Sequence, residues 1–377
     1  MAGVYIHVPF CLKKCIYCDF FSVPETGQTV AYTTALRKEM ELRQGFLTEA
    51  PQTFYVGGGT PSLLPFALLE GIVEAADRYF DLSHCTELTL EANPDDLSPE
   101  YLRSLRSLPF NRISLGVQSL DDEVLHFLGR RHTAHQALQA IDLCRLAGYE
   151  NLSIDLIYGL PVAESESSLE VALRLDLPHI SAYHLTYEEG TPLYELLQKG
   201  LSPIDEEVSA SQFRYFHQRL SAAGYEHYEL SNFAKKGHFS RHNTAYWQGK
   251  PYIGLGPSAH SFRGTRREAN VRSLSLYLST LSEGRLPCTV EELSLTEQFN
   301  EYLITRLRTK WGIRTEDVSR LFGEAFTENL YLHATPFIDK GLLVGTKDSL
   351  RLTIDGMLLC DTILRELILL DCPERAR

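Results

Sequence analysis

Short apolar, β-rich runs alternate with helix-period stretches through the first half of the chain. VYIHV (4–8), TFYVG (53–57), ELTLEA (87–92), RISLGV (112–117), LSIDLIYG (152–159) and ISAYHL (180–185) read as strands, and 28–44, 65–79, 98–106, 134–147 and 165–176 as helices between them. Strand and helix in regular succession predict parallel βαβ units and an α/β class. LSIDLIYG lacks clean alternation, as expected of a strand covered on both faces. Six such units favour a partial (β/α)6 barrel, with a doubly wound open sheet as the alternative. The polar and glycine-rich features all follow these strands: a cysteine loop, GGGTP, Glu91, Gln118, Asp155 and the His184–Tyr187 region. In parallel barrels the βα loops converge at the C-terminal strand ends, so these features point to one rim.

After residue 190 the pattern changes. A helix over 205–223 leads to YEHYELSNFA and then to a loop rich in His, Gly and aromatics through Phe262. The stretch 296–370 reads as several helices around a hairpin. GLLVGTKDSLRLT (341–353) supplies two short strands around Lys347 and Asp348, and IDGMLLCDTILREL a closing amphipathic helix. That order resembles a winged helix. The expected division is a barrel over 1–190, an extension carrying the His-rich loop over 191–290, and a winged-helix-like domain over 291–377.

Composition narrows the chemistry. At 377 residues the chain exceeds what one hydrophobic core usually serves. Its 36 Lys and Arg against 49 Asp and Glu leave a net charge of −13, which argues against a general phosphate-backbone binder. A packing or partner role for the C-terminal domain is therefore expected ahead of DNA binding, and no nucleic-acid partner is expected. No signal peptide precedes the first strand and no apolar run is long enough to span a bilayer, so the expected compartment is cytoplasmic. Of eight cysteines, three fall within residues 11–18, while Cys85, Cys144, Cys288, Cys360 and Cys372 are scattered. So tight a cluster in a large chain suits metal binding or catalysis better than a disulfide framework. Cys144, inside an amphipathic run, reads as a buried core thiol.

Cys11-Leu-Lys-Lys-Cys15-Ile-Tyr-Cys18 puts three thiols in one loop. A [4Fe–4S] cube held by three thiolates keeps one iron open for a small chelating molecule. Structural zinc usually takes four protein ligands; His7 could be a fourth, but it lies inside the first strand.

Following a strand and opening a barrel-like domain, CLKKCIYC resembles the radical S-adenosylmethionine (SAM) superfamily. The resemblance implies that the open iron binds the amino and carboxylate groups of SAM, and that one electron cleaves SAM to a 5′-deoxyadenosyl radical. Tyr17 matches the family's aromatic beside the adenine. Gly57, Gly58, Gly59 and Thr60 resemble the glycine motif at the SAM amino group; glycines let a ligand approach backbone without a Cβ in the way. Glu91, Gln118, Arg130 and Asp155 match SAM-contacting positions, and Tyr5 another pocket position beside the cluster. Carboxylates and an amide suit ribose hydroxyls and an ammonium, and Arg suits a carboxylate. Arg131 adjoins Arg130 and could take its place; for each of these residues a buried polar group satisfied by backbone is the plainer alternative.

YIHVPFC, GGGTPS, LGVQS, DLIYGLP and LTIDGMLLCD carry the resemblance to one branch, the HemN/HemW group, which contains oxygen-independent coproporphyrinogen III oxidase and the HemW-type haem chaperones. The oxidases have a further cysteine two residues after the third ligand, where this chain has Phe20, and an N-terminal extension where it has ten residues before Cys11. Both departures count against decarboxylase activity. Arg241-His242-Asn243-Thr244-Ala245-Tyr246-Trp247 matches the HNxxYW motif of HemW-type proteins. There an imidazole would ligate haem iron, aromatics would cover the macrocycle and Arg241 would pair with a propionate. If that segment is helical, His242 and Tyr246 share a face; a structural His among loop aromatics is the alternative. GLGPSAHSF (254–262) reads as a turn lining the same end, with His260 a weaker ligand candidate.

The resemblance implies a haem chaperone that keeps a cluster and SAM and hands haem to acceptor haemoproteins, those of the respiratory chain among them, with transient membrane association. Oxidative decarboxylation of coproporphyrinogen III is the enzyme alternative, and a radical SAM enzyme acting on nucleic acid a third reading.

Overall fold

The computed structural model describes residues 2–24, 27–162, 166–346 and 348–372. Residue 165, at the start of one expected helix, and Lys347, at the tip of the expected hairpin, lie outside them.

Six strands, β1 (Ala2–Val8), β2 (Pro51–Gly58), β3 (Glu87–Ala92), β4 (Arg112–Gln118), β5 (Asn151–Tyr158) and β6 (His179–His184), pair in parallel in chain order. Helices α1 (Thr29–Arg43), α2 (Phe66–Phe80), α3 (Pro99–Leu105), α4 (Asp122–Leu128), α5 (Ala134–Leu146) and α6 (Glu166–Arg174) connect them, α4 and α5 both between β4 and β5. All six expected strands are present, and the partial barrel is the architecture. Strands buried on both faces explain the near-continuous apolar runs: on β5, Leu156 is buried in the main core and its neighbour Ile157, on the opposite face, in a separate apolar cluster.

Past α7 (Pro192–Gln198) and α8 (Glu206–Ala222), YEHYELSNFA forms β7 (Glu226–Glu229) and β8 (Asn232–Ala234). The segment after it, expected to be a loop, holds α9 (Arg241–Trp247), β9 (Tyr252–Leu255) and β10 (His260–Arg263). Elements of three to seven residues complete too few periods to register as patterns. Strand β9 pairs in parallel with β1, Gly3 opposite Tyr252 and Ile6 opposite Leu255, adding a seventh parallel strand from far along the chain. Strands β10, β11 (Arg266–Asn270) and β12 (Cys288–Glu292) continue the sheet antiparallel from β9, while β8 and β7 add to β6 at the other edge.

A buried charge network fastens this extension to α1. Arg43 reaches Glu39 (3.2 Å), Glu268, the Gly254 carbonyl (3.1 Å) and Ser261 (2.9 Å), while Glu39 accepts from the Gly256 amide (2.8 Å) and the Tyr277 hydroxyl (2.7 Å). Tyr277 lies on α10 (Leu274–Ser282). Removing one partner from such a network leaves the others charged and dry, which typically costs about 3–5 kcal/mol.

A second core gathers Phe299, Leu303, Ile313, Val318, Leu330 and Leu350. Its elements are α11 (Leu295–Leu307), β13 (Ile313–Arg314), α12 (Thr315–Phe322), α13 (Glu324–Asp339), β14 (Leu343–Gly345) and β15 (Ser349–Leu352), with the small sheet ordered β13-β15-β14. That succession is winged-helix-like. The closing helix is broken at Leu359 into α14 (Ile354–Leu358) and α15 (Cys360–Leu367). Among the described residues no helix is long and apolar enough to cross a membrane.

Candidate functional site

At the C-terminal strand ends lies a cavity of about 450 Å³. The cysteine loop that roofs it is fixed at its neck, where the Cys11 amide donates to the Val23 carbonyl (3.1 Å) and the Val23 amide to Pro9 (2.7 Å). Ile16 ties the middle of the loop down twice, its amide to Leu128 (3.2 Å) and its carbonyl to the Leu193 amide (2.9 Å). Cys11, Cys15 and Cys18 all line the cavity, as free thiols. Thr60 shares a hydrogen bond with the Cys11 sulfur (3.2 Å), and Arg130 donates to that of Cys15 (3.4 Å). Burial raises the Cys11 thiol and pushes Cys18 up to about 11.

Among the described residues no three His, Cys, Asp or Glu groups converge tightly enough to hold a single metal ion. Three thiols spread over a loop suit the separate corners of an iron–sulfur cube better than a zinc tetrahedron with sulfurs about 2.3 Å from one ion. His7 is no fourth ligand here. Its Nε2 is bonded to the Phe21 carbonyl (2.8 Å) and its Nδ1 to the Tyr5 hydroxyl (3.1 Å), and burial lowers it to about 4.

Gly58, Gly59 and Thr60 line the same space, at the end of β2. A Cβ on Gly59 would lie 2.7 Å from the Phe10 carbonyl and 3.1 Å from the Cys11 sulfur, so only glycine lets this turn pass under the cysteine loop. Gly57 stands behind the lining, against Tyr55 and Glu91. Glu91 accepts from the Tyr55 hydroxyl (2.6 Å) and the Gly58 amide (3.0 Å), and Asp155 lines the cavity from β5. Desolvation raises Glu91 to about 7 and Asp155 to about 6, with further repulsion on Glu91 from Asp155. Two neighbouring desolvated carboxyls can receive positive charge and hydroxyls. A sulfonium, an ammonium and a ribose, all present in SAM, supply both.

Tyr17, Gln118 and Arg130 complete the lining. Gln118 ends β4 at φ 68°, where the register with β5 slips, a left-handed conformation costly for a non-glycine residue and concentrated at functional sites. Arg130 donates to Asn93 (2.7 Å) and the Gly116 carbonyl (2.6 Å), and its buried Nε has no partner. Its neighbour Arg131 turns away to Asp95 (3.1 Å) and Asp96 (2.9 Å). Asn93 escaped the sequence reading although it follows a strand two residues after Glu91; position at a strand end was the available signal.

The HNTAYW segment lies at the opposite end of the barrel. It forms α9, capped by Ser240, with the Arg241 and His242 amides donating to the Glu87 carboxylate (2.9 Å each) at the start of β3. His242 and Tyr246 share a face, their rings meeting edge-on at 4.9 Å. That face looks into the barrel. His242 is 3% exposed, shares a hydrogen bond through Nδ1 with Thr53 on β2 (2.8 Å) and stacks on Tyr55 at 5.0 Å, while its Nε2 has no partner. Burial lowers its pKa to about 3. Tyr5 does not line the cysteine-lined cavity; it sits among His7, Tyr55 and His242. Arg241 is exposed and bonded to Thr86 (2.7 Å), and Trp247 is half-buried.

Between α9 and the upper cavity is a polar void of about 40 Å³, bounded by Tyr55, Glu91, Asp155, His179 and Asn243, room for a few waters but not for a porphyrin. The turn in GLGPSAHSF is not at this end. Gly256 lies against the His7 carbonyl, toward the cysteine loop, and His260 is an exposed residue of β10.

Residues 5–174 match the radical SAM superfamily, and residues 293–359 the HemN C-terminal domain. The chain is 36% identical to heme chaperone HemW of Lactococcus lactis over 375 residues, covering 98% of each chain. It is 35% identical to heme chaperone HemW of Bacillus subtilis, covering 95% of this chain and 97% of that one. Radical S-adenosyl methionine domain-containing protein 1, mitochondrial, of Danio rerio is 33% identical, with 98% of this chain and 87% of that one covered. Among solved structures, coproporphyrinogen III oxidase (HemN) of Escherichia coli superposes with a TM-score of 0.83 at 23% identity, covering 97% of this chain and 90% of that one. That likeness is one of fold.

Proposed function

Because the chain belongs to the radical SAM superfamily, in the branch that holds HemN and HemW, we propose that it is a haem chaperone that keeps a [4Fe–4S] cluster and SAM in the barrel mouth and delivers haem to acceptor haemoproteins. Similarity to proteins named heme chaperone HemW along almost the whole chain carries this reading. When bound, the cluster would hold SAM at its open iron and supply one electron. Cys11, Cys15 and Cys18 are the proposed ligands. Glu91 and Asp155 would take the cationic and hydroxyl groups of SAM, and Arg130, steadied by Asn93, its carboxylate. Gly58, Gly59 and Thr60 would give it backbone contact, and Tyr17 would pack beside the adenine.

The test is anaerobic reconstitution of the full chain with iron and sulfide, titration with haem, and mixing with an apo-haemoprotein followed through the Soret band. Four iron atoms per chain, stoichiometric haem uptake and transfer to the acceptor are expected. Zinc at the three cysteines, absence of haem uptake, or protoporphyrinogen formation from coproporphyrinogen III with SAM and reductant would each overturn the reading.

A further inference from the structure

A porphyrin is a flat apolar disc with a metal at its centre and two carboxylates on one edge. Its docking site needs an accessible neutral imidazole, a flat apolar surface and cations within reach of that edge. The HNTAYW helix does not supply these as folded, because the imidazole of His242 looks into a barrel interior with room for only a few waters. Reaching it would require α9 to leave the barrel base and break the bonds to Glu87 and Thr53.

The cluster mouth supplies all three. Among the described residues one histidine lines that cavity, His184, the exposed last residue of β6. Its ring lies over Gly159, where φ is 77° and a Cβ would fall 2.7 Å from the imidazole, and edge-on to Tyr158 at 5.3 Å. Nε2 is bonded to the Ser209 hydroxyl of α8 at 2.6 Å. Metal-bound histidines regularly give their second ring nitrogen to such a partner, which fixes tautomer and ring direction. Here that bond leaves Nδ1 available, and partial desolvation lowers the pKa, which favours the neutral ring. Across the mouth, Phe20 is 66% exposed, an aromatic surface that the core does not use. Lys13 and Lys14 line the same cavity and are exposed on the cysteine loop. Glu188 lies on the His184 side and disfavours carboxylates there, which directs them toward the lysines.

We infer that haem docks over the cluster cavity with Nδ1 of His184 as an axial ligand, Ser209 holding the other ring nitrogen, Phe20 against the macrocycle and Lys13 and Lys14 at the propionates. α9 closes the barrel base and does not hold the iron. The inference rests on haem being the cargo, as proposed above, but it can fail while that reading stands.

The experiment titrates hemin into the full-length reconstituted chain and into His184→Ala, Ser209→Ala and His242→Ala, reading Soret position and Kd with cluster absorbance as the folding control. Ser209→Ala should weaken binding by about tenfold and His184→Ala by more, with a shifted Soret band. Added imidazole should restore that band in His184→Ala, a rescue that a merely structural role would not show. His242→Ala should keep the wild-type Soret position. Wild-type binding with an unchanged Soret and Kd in His184→Ala, or loss of the band in His242→Ala alone, overturns the His184 assignment and leaves the chaperone reading intact. No hemin binding by the wild type overturns both.

Discussion

The two ends of the barrel are made from the same strands and are built to opposite rules. At the base, polar side chains find partners within the protein: Glu87 takes two helix amides, Arg112 donates to Asn151, and both nitrogens of His179 are bonded, to Ser153 and Tyr228. The mouth leaves its polar groups short. Glu91 and Asp155 are raised by desolvation, Arg130 has an unpartnered Nε, and Gln118 is held in a left-handed conformation. Satisfied ends stabilise, and under-satisfied ends wait for a ligand. The Nε2 of His242 and the Oγ1 of Thr244, both on α9, are left without partners at the base.

Substitutions should separate the two ends by what they change. The largest effect is expected from Cys18→Ser, which should abolish the cluster's visible absorbance with little change in the melting temperature of the metal-free protein; full iron content in the variant would remove Cys18 from the ligand set. Glu87→Ala should do the reverse. It strands the α9 amides at a cost of about 1–3 kcal/mol in chemical denaturation, with cluster content unchanged. Gln118→Gly should trade one property for the other, relaxing backbone strain worth about 1 kcal/mol while SAM binding by calorimetry weakens.

The finest distinction is in pH. A carboxyl raised in the folded state favours folding while it is protonated, and that contribution is lost as pH rises through its folded pKa. Ligand-free protein should therefore lose stability as pH climbs from about 4.5 to about 7, and Glu91→Gln should flatten that slope. SAM affinity should run the other way, falling as Glu91 and Asp155 protonate below about 7 and about 6. A SAM affinity independent of pH across that window would remove both carboxylates from the proposed cation site.

Much of the mouth was legible in the sequence because strand ends are legible. Six apolar runs located the strands, and the special residues follow them directly. Helix α4 was missed although Asp121 caps its start, accepting from Glu123 and Val124, and left-handed Gly129 ends it; seven residues are too few for periodicity to stand out. Strand β9 was missed for a different reason, since its partner β1 lies elsewhere in the chain and nothing local announces the pairing. The helical face shared by His242 and Tyr246 could be read from spacing, but its inward direction could not. That direction is set by Thr53 and Glu87, at the beginnings of strands where sequence marks nothing unusual.

The pairing of β1 with β9 also sets an order of assembly. Gly3 meets Tyr252, so during translation at about 5–20 residues per second the strand that leads into the cysteine loop emerges on the order of tens of seconds before its outer neighbour. Through that interval it presents an open parallel edge, the kind of surface that recruits other chains. The frame around the cysteine loop is therefore closed on both sides only once Leu255 has left the ribosome.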